Sequence, residues 1–146
     1  MTDPDKIATG GCLCGGVRYE AVPRPDSAYY CHCRDCQLGS GSAFHVAIFC
    51  DEADFRQLSG NLSTYKTVAD SGRSVQRMFC TDCGTPLYWT GEGFPGSVVI
   101  TLSSLDDPEA HQPIHEGWTA RSLSWARISD DVESFSKRPD RGDGID

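Results

Sequence analysis

The stretch "FCTDCGTPL", Phe79 to Leu87, contains two cysteines in a tight turn. Two residues separate Cys80 from Cys83, and Gly84 follows directly. Because Gly84 has no Cβ, the backbone amides of the turn are free to point toward the two sulfurs. This spacing is typical of a zinc knuckle, a turn that supplies two ligands and needs two more from elsewhere. The stretch therefore predicts a metal site that joins distant parts of the chain.

A second pair of cysteines, near the N-terminus, offers the two missing ligands. In "GGCLCGG", Cys12 and Cys14 are flanked by glycines, which permit unusual backbone angles. Together with Cys80 and Cys83 they would form a closed four-cysteine site, the arrangement of a structural zinc. We expect this site to join the N-terminal strand to the middle of the chain.

A third group of cysteines lies in "CHCRDC", where Cys31, Cys33 and Cys36 fall within six residues. Three protein ligands and one exchangeable position distinguish a catalytic zinc from a structural one. The exchangeable position can take water, or a substrate thiol that the zinc holds as thiolate. The competing interpretation is a second structural site whose fourth ligand is Cys50, His32 or His45.

Each of these three possible fourth ligands also has a simpler role. His32 lies between two ligands and would be strained if it bound the same ion, so we expect it to point away. His45 lies in an apolar run and is predicted to be a hydrogen-bonded histidine of a sheet. Cys50 is predicted to be a small buried residue.

The composition indicates the setting in which these cysteines act. A chain of 146 residues suits one domain that buries a real core without disulfides. The start "MTDPDKIATG" has no apolar run like a signal peptide, so we expect a cytoplasmic, reducing compartment, where clustered cysteines are ligands rather than bridges. No window is long and apolar enough to predict a membrane span. The net charge of −8 argues against nucleic acid as a partner.

Hydrophobic alternation predicts a mainly β domain with little helix. We expect one domain over residues 10–139, between a flexible N-terminus, 1–9, and a flexible tail, 140–146. The segment "DEADFRQL" is predicted to hold a short helical turn. The predicted strands cover Val17 to Val22, Ser42 to Phe49, Ser63 to Val68, Ser74 to Phe79, Pro86 to Thr90 and Ser97 to Leu105.

Two other zinc or cysteine enzymes fit the pattern poorly. Zinc deaminases need a glutamate two residues after the first ligand and a proline before the C-x-x-C pair. Here Cys33 stands in place of that glutamate, and Phe79 precedes Cys80. Methionine sulfoxide reductases of the B type need a nucleophilic cysteine late in the chain, and no cysteine follows Cys83.

The blocks "GGCLCGGVRYE", "CHCRDCQLGSGSAF" and "FCTDCGTPLYW", in this order, resemble the glutathione-dependent formaldehyde-activating enzyme family, which also includes centromere protein V. The resemblance implies an Mss4-like fold of small antiparallel sheets with two zinc ions. It places a structural zinc on Cys12, Cys14, Cys80 and Cys83 and a catalytic zinc on Cys31, Cys33 and Cys36.

The activity that the resemblance implies is that of a carbon–sulfur lyase. Its partner would be a small molecule, the adduct of glutathione or a similar thiol with formaldehyde or another aldehyde. The alternative is a non-enzymatic zinc-binding domain with a scaffold or interaction role, because a family does not fix a substrate. Four arginines are candidates for binding the carboxylates of such a thiol, but we expect each to be a solvated surface residue; they are Arg34, Arg73, Arg77 and Arg121.

Overall fold

The computed structural model describes residues 6–137, so the predicted flexibility of residues 1–5 and 140–146 lies outside the described residues. One α-helix, α1, spans Arg34–Ser40, and short 3-10 turns occur at Leu102–Ser104, Pro108–Ala110 and Thr119–Arg121. The strands are β1 Ala8–Gly11, β2 Arg18–Pro23, β3 Tyr29–Cys31, β4 His45–Ser59, β5 Leu62–Val68, β6 Ser74–Cys80, β7 Pro86–Gly91, β8 Ser97–Thr101, β9 His115–Gly117 and β10 Glu133–Ser134.

All ten of these strands belong to one sheet. Eight of them follow the order β10-β9-β3-β4-β8-β7-β6-β5, and β2 joins through β4 with β1 on its other side. The pairs are antiparallel except β3 with β9 and β9 with β10. The mainly β fold with little helix is therefore confirmed, and the strands form one continuous sheet among residues 6–137.

Strand β4 organises the sheet because it pairs with three neighbours, and its first part, His45 to Cys50, is largely buried. Its first part pairs with β3, its middle with β8 and its last part with β2. Ala47 and Phe49 pack into one apolar cluster, whereas Ile48 and Cys50 pack into another on the opposite face. This alternation is the period of two that a strand imposes.

The helical turn predicted for Asp51 to Leu58 is wrong, since this segment continues β4. The segment pairs with β2, and Phe55 stacks on Tyr19 with ring centroids 5.4 Å apart. Phe55 also packs on Tyr88 at 4.6 Å. Tertiary packing of one aromatic ring thus decides a segment whose local sequence is ambiguous.

The boundaries of the elements differ from the prediction at several points. Strand β1 begins at Ala8, two residues before the predicted start of the domain, and the division into domain and flanks stays a prediction. Helix α1 was not among the predicted elements; it begins after Cys33 and ends before Gly41, whose φ is 66°. Within residues 6–137, no helix is long and apolar enough to cross a membrane.

Candidate metal centres

The four cysteines of the predicted closed site meet at one point of the structure. Cys12 and Cys14 follow β1, Cys80 ends β6, and Cys83 lies in the turn before β7. Their four sulfur atoms all lie within 4.8 Å of one another. The sulfur of Cys14 is 3.4 Å from that of Cys12 and 3.8 Å from that of Cys80. We call this group the four-cysteine cluster.

Two glycine turns shape the four-cysteine cluster. Gly15 and Gly84 both have a left-handed backbone, with φ of 80° and 75°. Each closes a turn: Gly15 N–H donates to the Cys12 carbonyl at 3.0 Å, and Gly84 N–H donates to the Cys80 carbonyl at 2.9 Å. The Val17 N–H donates to the sulfur of Cys12 at 3.2 Å. An amide directed at a sulfur stabilises a thiolate, the form that binds a metal.

The dimensions and chemistry of the four-cysteine cluster fit zinc. A zinc–sulfur distance of about 2.3 Å in a tetrahedron places the sulfurs about 3.8 Å apart. The separations of 3.4 and 3.8 Å are close to this value. An all-sulfur set of four favours zinc or an iron–sulfur cluster over hard cations. The cluster could therefore hold a metal ion with no ligand from outside the protein.

The second group, Cys31, Cys33 and Cys36, also converges, and we call it the three-cysteine cluster. Its sulfur atoms lie within 4.8 Å of one another. Cys31 ends β3, Cys33 caps the N-terminus of α1, and Cys36 lies in the first turn of α1. The Cys36 N–H donates to the Cys33 sulfur at 3.3 Å. The local chain therefore aims all three sulfurs at one point.

The electrostatics of the three-cysteine cluster also fit a cation. Thiols of Cys31 and Cys36 hydrogen-bond to the Cys33 sulfur and lower the pKa of Cys33 to about 3. The same bond to Cys33 raises the pKa of the Cys31 thiol well above its usual range. Crowded, buried sulfurs oppose the ionisation of one another, and a bound cation removes that opposition. A zinc ion is therefore a suitable occupant for this cluster as well.

No fourth protein ligand completes the three-cysteine cluster among residues 6–137. His32 points toward β9 instead, and its Nε2 is 2.8 Å from Glu116 Oε1. His45 is buried in β4, with Nε2 3.3 Å from the Thr101 hydroxyl. The thiol of Cys50 is buried and donates to the Asp51 carbonyl at 3.2 Å. These positions match the simpler roles predicted for the three residues.

Burial of His45, together with the charge of Arg77, lowers the pKa of His45 to about 4. The imidazole is therefore neutral at pH 7. Its ring packs edge-on against Trp89, with centroids 4.8 Å apart. His45 belongs to the packed layer beside the cluster and not to its ligands.

Arg77 is a residue whose predicted role is wrong. Instead of being solvated, its side chain is half-buried. The guanidinium carbon lies 5.1 Å from the centroid of the Trp89 ring, and Nη2 lies 3.9 Å from the Cys36 sulfur. A signal was present in "SVQRMF": Arg77 is two residues from Val75, a core residue, and so shares its face of β6. By contrast, Arg34 and Arg121 are exposed, as predicted.

A cavity of about 490 Å³ lies elsewhere, under the segment that follows β9. It is open to solvent, and its wall is rich in hydroxyl groups and includes Glu116, the partner of His32. None of the clustered cysteines lines this cavity. The sulfur clusters, and not the cavity, therefore identify the candidate site.

Comparison with known proteins gives consistent results. The model of the family "Glutathione-dependent formaldehyde-activating enzyme" matches residues 7–121, a range that contains both cysteine clusters. An uncharacterized lyase of Schizosaccharomyces pombe is 30% identical over 80 residues, which are 55% of this chain and 55% of that protein. The chain thus matches about half the length of this curated relative.

A solved structure shares the fold. The crystal structure of a Rhodobacter sphaeroides protein superposes with a TM-score of 0.58 and 22% sequence identity. The match covers 67% of this chain and 87% of the other. At this identity, the likeness concerns the fold alone.

Proposed function

The chain belongs to the glutathione-dependent formaldehyde-activating enzyme family, and we propose that it is a zinc-dependent carbon–sulfur lyase. Its substrate would be the adduct of a small thiol, such as glutathione, with formaldehyde or another aldehyde. One observation carries this proposal: the three-cysteine cluster has three convergent sulfurs and no fourth protein ligand among residues 6–137. A metal with four protein ligands has no position for a substrate atom, whereas a metal with three protein ligands has one.

The four-cysteine cluster would hold one zinc ion as a structural site, and the three-cysteine cluster would hold a second. The reaction in the cleavage direction breaks the carbon–sulfur bond of the hemithioacetal. The hydroxyl proton passes to solvent, a carbonyl forms, and the electron pair of the carbon–sulfur bond leaves with the sulfur as a thiolate. A zinc ion in the three-cysteine cluster would supply either stabilisation of that thiolate or polarisation of the hemithioacetal oxygen.

Burial shields one side of the three-cysteine cluster from water. Cys31 and Cys36 are buried, whereas Cys33 is partly exposed. A small molecule would thus reach the centre from the side of Cys33. The buried sulfurs exclude water from the opposite side, which strengthens charge interactions at the centre.

The setting proposed for this reaction is the cytoplasm. All eight cysteines are free, and none of them forms a disulfide within the described part of the chain. A reducing compartment keeps seven clustered thiols available as ligands. It also contains the small thiols with which aldehydes form adducts.

Exchange of the adduct in solution tests the proposal. Purified protein with about two zinc ions per chain is mixed with formaldehyde and a series of thiols, and exchange between free and hydroxymethylated thiol is measured by NMR. We expect acceleration over the background for at least one thiol, and loss of that acceleration in Cys33→Ser.

Cys50→Ser is the matched control for this experiment. It changes a cysteine outside both clusters, and the serine hydroxyl can donate to the Asp51 carbonyl as the thiol does. We expect this variant to retain the acceleration. If zinc-loaded wild-type protein accelerates exchange for none of the thiols, the chain is a non-enzymatic zinc domain instead.

A further inference from the structure

We propose that Arg77 is a positioning residue of the three-cysteine cluster, where its fixed positive charge makes a thiolate acceptable as the fourth ligand of the metal. This inference rests on the proposed function, because it assumes that a substrate sulfur binds at the exchangeable position. It adds a residue that lies 41 positions along the chain from Cys36.

The position of Arg77 is fixed by contacts on two sides. Arg77 lies on β6 directly across from Trp89 of β7, and its guanidinium carbon is 5.1 Å from the centroid of the indole ring. On the other side Nη2 is 3.9 Å from the Cys36 sulfur. A Cβ added to Gly39 of α1 would lie 3.4 Å from Nη1, so the helix passes close to the guanidinium. A planar cation held between an aromatic ring and a sulfur has little freedom to turn toward another partner.

The charges of the cluster explain what Arg77 does there. Three thiolates and one divalent zinc ion sum to −3 + 2 = −1, and a fourth thiolate would make −2. With the positive charge of Arg77 included, the net charge is 0 for three thiolates and −1 for four. Because Cys31 and Cys36 are buried, water screens this repulsion weakly. Arg77 therefore favours an anionic fourth ligand, whereas a neutral ligand gains much less from it.

Other charged groups also lie near the cluster. Arg34 of α1, which directly follows Cys33, is exposed and donates from Nη1 to Gln37 Oε1 at 3.2 Å. Asp35 of α1 acts on the charge of Arg77, and His45 is neutral at pH 7. Glu116 is occupied by His32 and by the Ser134 hydroxyl, at 2.8 and 2.7 Å. Among the described residues, Arg77 is thus the cation whose side chain contacts a sulfur of the cluster.

Ligand binding to the cobalt-substituted protein tests this role without any turnover. Cobalt in a thiolate site absorbs visible light, and its spectrum changes when a fourth ligand exchanges. The probes are 2-mercaptoethanol, which binds as a thiolate and carries no carboxylate, imidazole, which is neutral, and glutathione, which carries carboxylates. The variants are Arg77→Gln, Arg77→Lys and the control Arg56→Gln, which removes an exposed arginine that pairs with Glu20 on β2.

We expect Arg77→Gln to bind 2-mercaptoethanol at least about tenfold more weakly, the effect of losing one charge-assisted contact. Its affinity for imidazole should change less than twofold, and Arg56→Gln should bind both as the wild type does. Arg77→Lys keeps the charge and should retain most of the thiol affinity. Should Arg77→Gln fail to fold, a tenfold loss of thiol affinity in Arg77→Lys would itself refute a role based on charge.

Three outcomes would overturn the inference. The first is unchanged binding of 2-mercaptoethanol by Arg77→Gln. The second is an equal loss for imidazole, which indicates general damage to the cluster. The third is a loss for glutathione alone, which indicates that Arg77 binds a substrate carboxylate. Absence of thiol binding by the wild-type protein would instead contradict the proposed function, so the two failures are distinguishable.

Discussion

Removing one ligand from each cluster in turn should affect stability by different amounts. The matched substitutions are Cys83→Ser in the four-cysteine cluster and Cys33→Ser in the three-cysteine cluster, since both residues are partly buried. Serine keeps a hydrogen-bond acceptor at position 33, where the side chain caps α1 by accepting from the Cys36 N–H. The difference between the variants then reflects the loss of each metal.

The magnitude follows from the length of chain that each metal closes. Cys14 and Cys80, which are 66 residues apart, would be joined through the first metal. The loop-closure relation gives about 4 kcal/mol for a loop of this length, but only about 2 kcal/mol for the local loop from Cys31 to Cys36. At roughly 3 °C per kcal/mol, Tm should fall by about 12 °C in Cys83→Ser and by about 6 °C in Cys33→Ser.

The assay combines metal analysis with thermal unfolding at a fixed zinc concentration. Each variant should contain about one zinc ion in place of about two, and Cys33→Ser should keep the wild-type circular dichroism at 25 °C. If Cys33→Ser lowers Tm more than Cys83→Ser does, the assignment of structural and catalytic sites is reversed. Equal shifts would show that loop length does not decide the contribution of each metal.

Two further predictions concern the support of the site and the ion pair between Arg18 of β2 and Asp106. Glu116→Ala removes the partner of the fully buried His32, so we expect the free energy of unfolding, measured in urea, to fall by about 1–3 kcal/mol. The three-cysteine cluster should also lose zinc to a chelator more readily, and unchanged zinc retention would contradict this prediction. The hydrogen bond from Arg18 holds the pKa of Asp106 below its usual range. The pair therefore stabilises the fold at pH values above the pKa that the carboxyl has in the unfolded chain, and this contribution is lost as the pH falls through the lowered pKa of the folded state. Asp106→Asn should reduce the fall of Tm on acidification, whereas Asp107→Asn, which changes the exposed neighbour, should not.

The sequence was sufficient to predict the two clusters, because the spacing within each group of cysteines is local and a pair of cysteines needs two further ligands to close a zinc site. Cys31, Cys33 and Cys36 lie in one short segment, and each of the two cysteine pairs is followed by a glycine that shapes a turn. The residues expected in each cluster converge in the structure, although their binding of zinc stays a prediction. The mainly β fold was also predictable, since strand alternation is visible in most of the segments.

What the sequence did not reveal depends on contacts between distant residues. The helix α1 has only seven residues and no apolar stripe; the hydrogen bond from Cys36 N–H to the Cys33 sulfur defines its start. Arg77 is an ordinary arginine in the sequence, and only the register of β6 with β7 places it over Trp89. Asp51 to Leu58 is polar enough for a surface helix, yet Phe55 anchors it as strand against Tyr19.

The three-cysteine cluster is held by contacts that do not require a metal, and this explains how it could exchange ligands while the fold persists. The backbone N–H of His32 donates to the Gly117 carbonyl of β9 at 3.1 Å. Gln37 Nε2 donates to the His32 carbonyl at 2.9 Å and to the Arg121 carbonyl at 3.0 Å. The backbone around Cys31 and Cys33 is thus tied to β9 and to the following segment independently of the sulfurs. The four-cysteine cluster, by contrast, joins two turns that lie far apart in the chain, so a metal bound there would close a much longer loop. A reactive metal centre is therefore best placed on the locally braced cluster, which is the one that lacks a fourth protein ligand among the described residues.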